Sequence, residues 1–245
     1  MEKIKVGIVN YLNTRPLVYG IENSPVMNDI IFTGNYPAML AQQLISGEID
    51  LGLVPVAVIP ALKEFYINTD YCIGTEGEVA SVCIFSDVPL EEADTVLMDY
   101  QSRTSVALAK LLLKEYWKLN PAIVPTQNDY RPLIKGNTAG LVIGDRALEQ
   151  RHKNKYIYDL GAAWKDHTGL PFVFAAWVSA KKLDPGFVVA FNEANRFGLT
   201  KIDEVVAEQV YDYYDLLKYY NHNISYMLTD QKRVGLASFL DAIVK

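Results

Sequence analysis

Ile8-Val9-Asn10-Tyr11-Leu12-Asn13-Thr14-Arg15-Pro16-Leu17 is the stretch on which the fold turns. An apolar run beginning at Ile4 leads into it with strand character. The run then gives way to a short polar and aromatic loop that closes on Thr-Arg-Pro. Thr14 suits an N-cap, and Pro16 suits a first helical turn, where a missing N–H costs nothing. The spacing predicts a strand, a tight loop and a helix starting near Arg15. In an open α/β sheet, ligands sit beyond the carboxyl ends of the strands, where helix N-termini point free N–H groups. Asn10, Tyr11, Asn13, Thr14 and Arg15 therefore form a candidate anion site. Capping and turn formation alone would account for them equally well.

Working outward, strand-like runs at 30–33 and 49–54 flank a helix that Asn35 and Pro37 open and Gly47 ends. A short apolar helix is expected over 56–65, interrupted by Pro60. This β-α-β-α-β alternation argues for a parallel sheet. Further strands are expected at 66–73, 79–86, 96–98, 123–124, 139–143, 156–158 and 171–179. Helices are expected over 106–117, 145–152, 185–196 and 204–220, with a last one capped by Thr229. The long strands at 79–86 and 171–178 bracket the middle of the chain. They predict an α/β protein of two lobes, one built from 1–86 plus 172–245 and the other from 87–171, with a central cleft that can close over a ligand.

Composition narrows the function classes. The 245 residues are half hydrophobic and carry a net charge of −6 without a Lys/Arg cluster, which argues against nucleic acid. No stretch approaches the ~20 apolar residues of a membrane span. The first residues run into a strand without a signal-peptide core, the pattern expected of a cytoplasmic protein. Cys72 and Cys83 stand apart in apolar surroundings and are expected to be buried free thiols. His152, His167 and His222 are scattered, so neither a metal site nor a histidine-based triad is expected. No glycine-rich nucleotide loop is present, and no cofactor is signalled.

A second cluster, Ser102-Arg103-Thr104-Ser105, opens the strongly helical segment that follows it. Hydroxyls, a guanidinium and a helix N-terminus together suit a carboxylate or phosphate. With the loop after the first strand this makes two anion-friendly helix starts, one per lobe. A ligand with two carboxylates would bridge them, and a monoanion would bind much more weakly. Gly144 and Asp145 follow another strand, with Asp145 either an N-cap or part of the cleft wall. Ser81 could project into the cleft from the first crossing strand.

Taken together, Val-Asn-Tyr-Leu-Asn-Thr-Arg-Pro-Leu (9–17), Leu-Val-Pro-Val-Ala (53–57), Ser-Arg-Thr-Ser-Val-Ala-Leu (102–108), Ile-Gly-Asp-Arg-Ala-Leu (143–148) and Thr-Gly-Leu-Pro-Phe-Val-Phe-Ala-Ala-Trp-Val (168–178) resemble the chorismate dehydratases of menaquinone biosynthesis by the futalosine pathway. The resemblance covers essentially the whole chain. It implies a type II periplasmic-binding-protein-like fold, chorismate as the small-molecule substrate, and a dehydration that needs no cofactor. It also implies that Asn13 and Ser81 stand in the active site. The sister enzyme making 1,4-dihydroxy-6-naphthoate carries a different loop, of the Ser-Pro-Cys-Pro-Asn-Asp-Thr type. The chain departs from the resembled pattern at Asn10, commonly serine, and at Val58, commonly acidic. A non-catalytic binding protein for a small carboxylate would share the fold.

Overall fold

The structure is a computed structural model and describes residues 3–244; Met1, Glu2 and Lys245, the outer ends of the first expected lobe, lie outside the described residues. In chain order it runs β1 (Ile4–Val9), α1 (Arg15–Glu22), β2 (Ile30–Asn35), α2 (Pro37–Ser46), β3 (Leu51–Pro55) and β4 (Tyr66–Thr75). The middle of the chain supplies β5 (Val82–Ser86), β6 (Thr95–Met98), α3 (Thr104–Glu115), β7 (Ala122–Pro125), β8 (Thr138–Ile143), α4 (Asp145–Gln150), β9 (Tyr156–Asp159) and α5 (Leu160–Thr168). The chain then returns through β10 (Phe172–Ser179), α6 (Pro185–Leu199), α7 (Ile202–Ala207), α8 (Leu216–Lys218), β11 (Ser225–Met227) and α9 (Asp230–Val244).

These strands form two sheets, one to a lobe. The first has the order β11-β4-β10-β3-β1-β2, and the second β7-β6-β8-β5-β9. β1 pairs in parallel with both β2 and β3, as the β-α-β-α-β spacing predicts. β10 returns antiparallel between β3 and β4 and fills the centre of the first sheet. Its eight residues are almost entirely buried, which is why it reads as an unbroken apolar run. Both cysteines are buried and free.

Three expectations need correction. The run at 79–86 is not one crossing strand. Only Val82–Ser86 is extended, and β5 pairs with β8 and β9 in the second sheet, so the first lobe gives way before residue 82 rather than after 86. The crossing is a turn, in which Ala80 takes a left-handed φ of +61°. The helix expected over 204–220 breaks after α7, because Asp215 caps a new start by accepting from Lys218 N and the tyrosines before it reach across to the second lobe. Thr14 precedes α1 as expected, yet its hydroxyl donates backward to the carbonyls of Val9 (2.6 Å) and Tyr11 (2.8 Å) instead of capping the helix. It tightens the loop.

Two crossings join the lobes, and one carboxylate ties them together. Asp159 accepts from Val79 N (3.1 Å) and Ala80 N (2.8 Å) on the outgoing crossing, and from Gly161 N (2.9 Å) and Ala162 N (3.0 Å) on the returning one. The crossings run so close that a Cβ on Gly161 would stand 2.4 Å from the Gly77 carbonyl oxygen. Burial raises the Asp159 pKa, and the surrounding backbone amides pull the other way.

Candidate active site

The carboxyl ends of β1, β3 and β8 face one another across a cleft with about 530 Å³ of free space, part of it open to solvent. Its floor is apolar, built from Val9, Leu53, Ile73, Phe174 and Ala175 of the first lobe and Ile143 of the second. Polar groups stand at its rim. From the first lobe come Tyr11, Asn13 and Thr14; from the crossing, Ser81; from the second lobe, Ser102, Thr104, Ser105 and Gly144. An apolar floor with a few convergent polar groups suits a small ligand with an apolar body and polar substituents.

Hydrogen bonding shows which of these groups have capacity left. Among the described residues no hydrogen bond engages the Asn13 side chain; only its backbone oxygen is used, by the Tyr226 hydroxyl at 3.0 Å. Ser102 Oγ accepts from Ser105 N (3.0 Å) in the first turn of α3, and Thr104 Oγ1 accepts from Ala57 N (3.2 Å) across the cleft. Both hydroxyls act as acceptors there, which leaves their protons for a ligand. Thr104 and Ser105 are nonetheless almost wholly buried. The start of α3 therefore presents donors and its positive dipole end to an enclosed space.

Asn10 is exposed and Val58 buried, and neither lines the cleft, so the two departures from the resembled pattern leave the pocket wall untouched. Three expected contributors are also placed elsewhere. Arg15 turns outward to a groove with Tyr19, Glu22, Val205, Glu208 and Gln209. Arg103 is exposed and does not line the cleft. Asp145 begins α4 without capping it; Gly144 is the cap residue, and the Asp145 carboxylate accepts from Leu12 N (3.0 Å) of the other lobe. Burial pushes its pKa up to about 6. Sequence spacing located the helix starts, but not which way each side chain leaves its helix.

Several groups in and around the site gave no local signal. Behind Tyr11 lies Gln101, whose side-chain oxygen accepts from the Tyr11 hydroxyl and from Arg146 Nη2 (2.9 Å). Arg146 in turn pairs with the buried Asp99 at 2.8 Å. The charge of Arg146 is thus matched inside the second lobe, and among the described residues the cleft lining contains no Lys, Arg, His, Asp or Glu. Tyr219, from the C-terminal part of the chain, donates to Ser81 Oγ at 2.7 Å. These partners lie 45 to 138 residues from the groups they hold, so no spacing rule could pair them.

Comparison with known proteins agrees with this geometry. Residues 4–245 match the family described as menaquinone biosynthesis. The chain is 30% identical to the chorismate dehydratase of Thermus thermophilus, covering 99% of this chain and 96% of that protein. It is 29% identical to the chorismate dehydratase of Campylobacter jejuni over 72% of this chain and 67% of that protein. In fold it is similar to a protein of Archaeoglobus fulgidus, with a TM-score of 0.79 at 13% identity, covering 98% of this chain and 96% of that one. A Candida albicans protein described as having the generic periplasmic binding protein fold aligns with a TM-score of 0.65 at 11% identity, over 100% of this chain and 90% of that one. The two-lobed periplasmic-binding-protein-like architecture is thereby established, and the chain belongs to the menaquinone-biosynthesis family.

Proposed function

We propose that this protein is a hydro-lyase that converts chorismate to 3-[(1-carboxyvinyl)oxy]benzoate, a soluble cytoplasmic step toward menaquinone. The observation that carries the reading is the convergence of an unengaged Asn13 amide, Ser81 and the Ser102–Ser105 hydroxyls on one apolar-floored cleft, in a chain related over its full length to chorismate dehydratases. Chorismate is a ring with two separated carboxylates. One end would be held by Asn13 beside the start of α1, the other by Ser102, Thr104 and Ser105 at the start of α3. Each charge-assisted hydrogen bond contributes roughly 1.5–3 kcal/mol.

The chemistry follows from the substrate's own groups. The hydrogen on C3 is vinylogous to the ring carboxylate, so donors around that carboxylate stabilise the charge that develops as the proton leaves. Asp145 is occupied by Leu12 N, and among the described residues no lining side chain is a Lys, His, Asp or Glu. The substrate's enolpyruvyl carboxylate takes the C3 proton. That proton then passes to the hydroxyl on C4 as it departs, so water leaves and the ring becomes aromatic. Asn13 and Ser81 orient the substrate and hydrogen-bond to the departing hydroxyl.

The test is incubation of purified protein with chorismate, followed by mass spectrometry. Loss of one water with wild type, and turnover at least about a hundredfold lower for Asn13→Ala and Ser81→Ala, is the expected result. Chorismate that binds but stays intact would make this a binding protein instead. An analogue without the side-chain carboxylate should bind more weakly and, even at saturation, not react; normal turnover of it would remove the substrate as base.

A further inference from the structure

We infer that Tyr219 is a positioning residue for this site, holding the Ser81 hydroxyl as a hydrogen-bond donor aimed into the cleft. The inference rests on the reading of Ser81 above and sharpens it. Tyr219 is fully buried, and its hydroxyl lies 2.7 Å from Ser81 Oγ. Either oxygen could in principle supply the shared proton. Proton accounting selects one arrangement. Among the described residues the Tyr219 hydroxyl has no acceptor other than Ser81, so if Ser81 donated, the Tyr219 proton would be left unpaired in a dry interior. Tyr219 therefore donates, and Ser81 keeps its own proton for a third group. The nearest acceptor for that proton is the Val79 carbonyl at 3.4 Å, well beyond the usual O–H···O length of about 2.7–2.8 Å. That carbonyl already takes Ser81 N at 2.7 Å. A ligand oxygen in the cleft is the stronger acceptor.

The backbone around both partners is built to hold this pair. Tyr219 opens a π-helical turn, Tyr219–Asn223, a local distortion that recurs at functional sites. From the same turn Asn223 Nδ2 donates to the Glu78 carbonyl (3.3 Å), and Asn223 Oδ1 accepts from the Tyr214 hydroxyl (3.1 Å). On the other side Ala80, next to Ser81, is kept in its left-handed conformation by Asp159 and by Arg151 Nη1, which donates to the Ala80 carbonyl at 3.1 Å. Strain of this kind persists only where the surroundings over-determine it. Burial also raises the Tyr219 pKa well above the ordinary phenol range, so the hydroxyl remains a donor at any working pH.

The test is a double-mutant cycle of wild type, Tyr219→Phe, Ser81→Ala and the pair. It is read both as kcat and KM for chorismate and as Kd for the stable diacid 3-(carboxymethoxy)benzoate. Tyr219→Phe keeps the ring and should lower kcat about tenfold with KM changed less than about twofold. In the Ser81→Ala background the same change should have almost no effect on kcat or Kd. An equal loss in both backgrounds would overturn the inference while leaving chorismate dehydration standing. Wild type that binds the diacid without turning over chorismate would remove the proposed reaction and the inference with it. Wild type that neither turns over chorismate nor binds the diacid would overturn both. Should Tyr219→Phe fold poorly, 4-aminophenylalanine at position 219 restores a donor; activity near wild type supports the inference, and activity no better than that of Tyr219→Phe overturns it.

Discussion

At Gly144 the backbone takes φ +64° and ψ −149°, and an added Cβ would stand 3.1 Å from the Tyr11 ring of the opposite lobe. The backbone angles demand glycine, and a Cβ would make the Tyr11 ring give by a few tenths of an ångström. A non-glycine residue in this conformation is strained by about 1–3 kcal/mol, and it would also hold Tyr11 away. Gly144→Ala should raise KM for chorismate about tenfold or more, measurable by steady-state kinetics, with a melting temperature lowered by several degrees. One residue further on, Asp145 gives a pH signature. Its native pKa of about 6 exceeds that of an unfolded aspartate, so between about pH 4 and 6 the native state holds a proton that the unfolded chain has lost. Stability from this group is complete below pH 4 and is lost as the pH rises through 6. Asp145→Asn keeps an acceptor for Leu12 N and removes the penalty. Denaturant melts should show it more stable than wild type at pH 7, by at most about 3 kcal/mol, with the difference vanishing near pH 4. At this scale the sequence revealed which residue types cluster: Asn13, Ser81 and the 102–105 hydroxyls all line the cleft, Ser81 from a turn and not from the strand expected there. It misplaced Arg15 and Arg103, because a helix start is legible from caps and proline whereas the side chain's exit direction depends on the packing of the whole helix.

Among the elements, those with local causes were the legible ones. β1, α1 and α3 follow from alternation, a first-turn proline and apolar residues three and four apart, and β10 from its unbroken apolar run. The region 204–220 was not legible as helix and break, because long-range contacts override propensity there. Tyr211 donates to the Asp145 carbonyl (3.0 Å), the Tyr213 carbonyl meets His152 Nε2 (2.8 Å), and Arg151 sits over the Tyr214 ring. The turn at 79–81 escaped for the same reason: its shape is imposed by Asp159, about 80 residues away. Asp159→Asn removes the charge from four amide bonds and sets an NH₂ against some of them. It should cost roughly 2–3 kcal/mol, a fall in melting temperature of about 5–10 °C in calorimetry, and lower turnover through Ser81.

For the molecule as a whole, both sheets contribute to one site. With the cleft lined by hydroxyls, an amide and helix ends rather than by fixed cations, a second carboxylate should matter greatly. Calorimetry should find 3-(carboxymethoxy)benzoate binding at least about tenfold more tightly than 3-hydroxybenzoate. Scattering should show the molecule more compact with the diacid than with the monoanion. Because Asp159 clasps both crossings, it stands where a swing of one lobe against the other would pivot, and parts nearest a pivot travel least. Ser81 stands beside it. On the proposed reading the serine would serve as a fixed post while Asn13 and the 102–105 turn approach from either side, and the leaving group would meet its donor in the same place at every stage of such a swing.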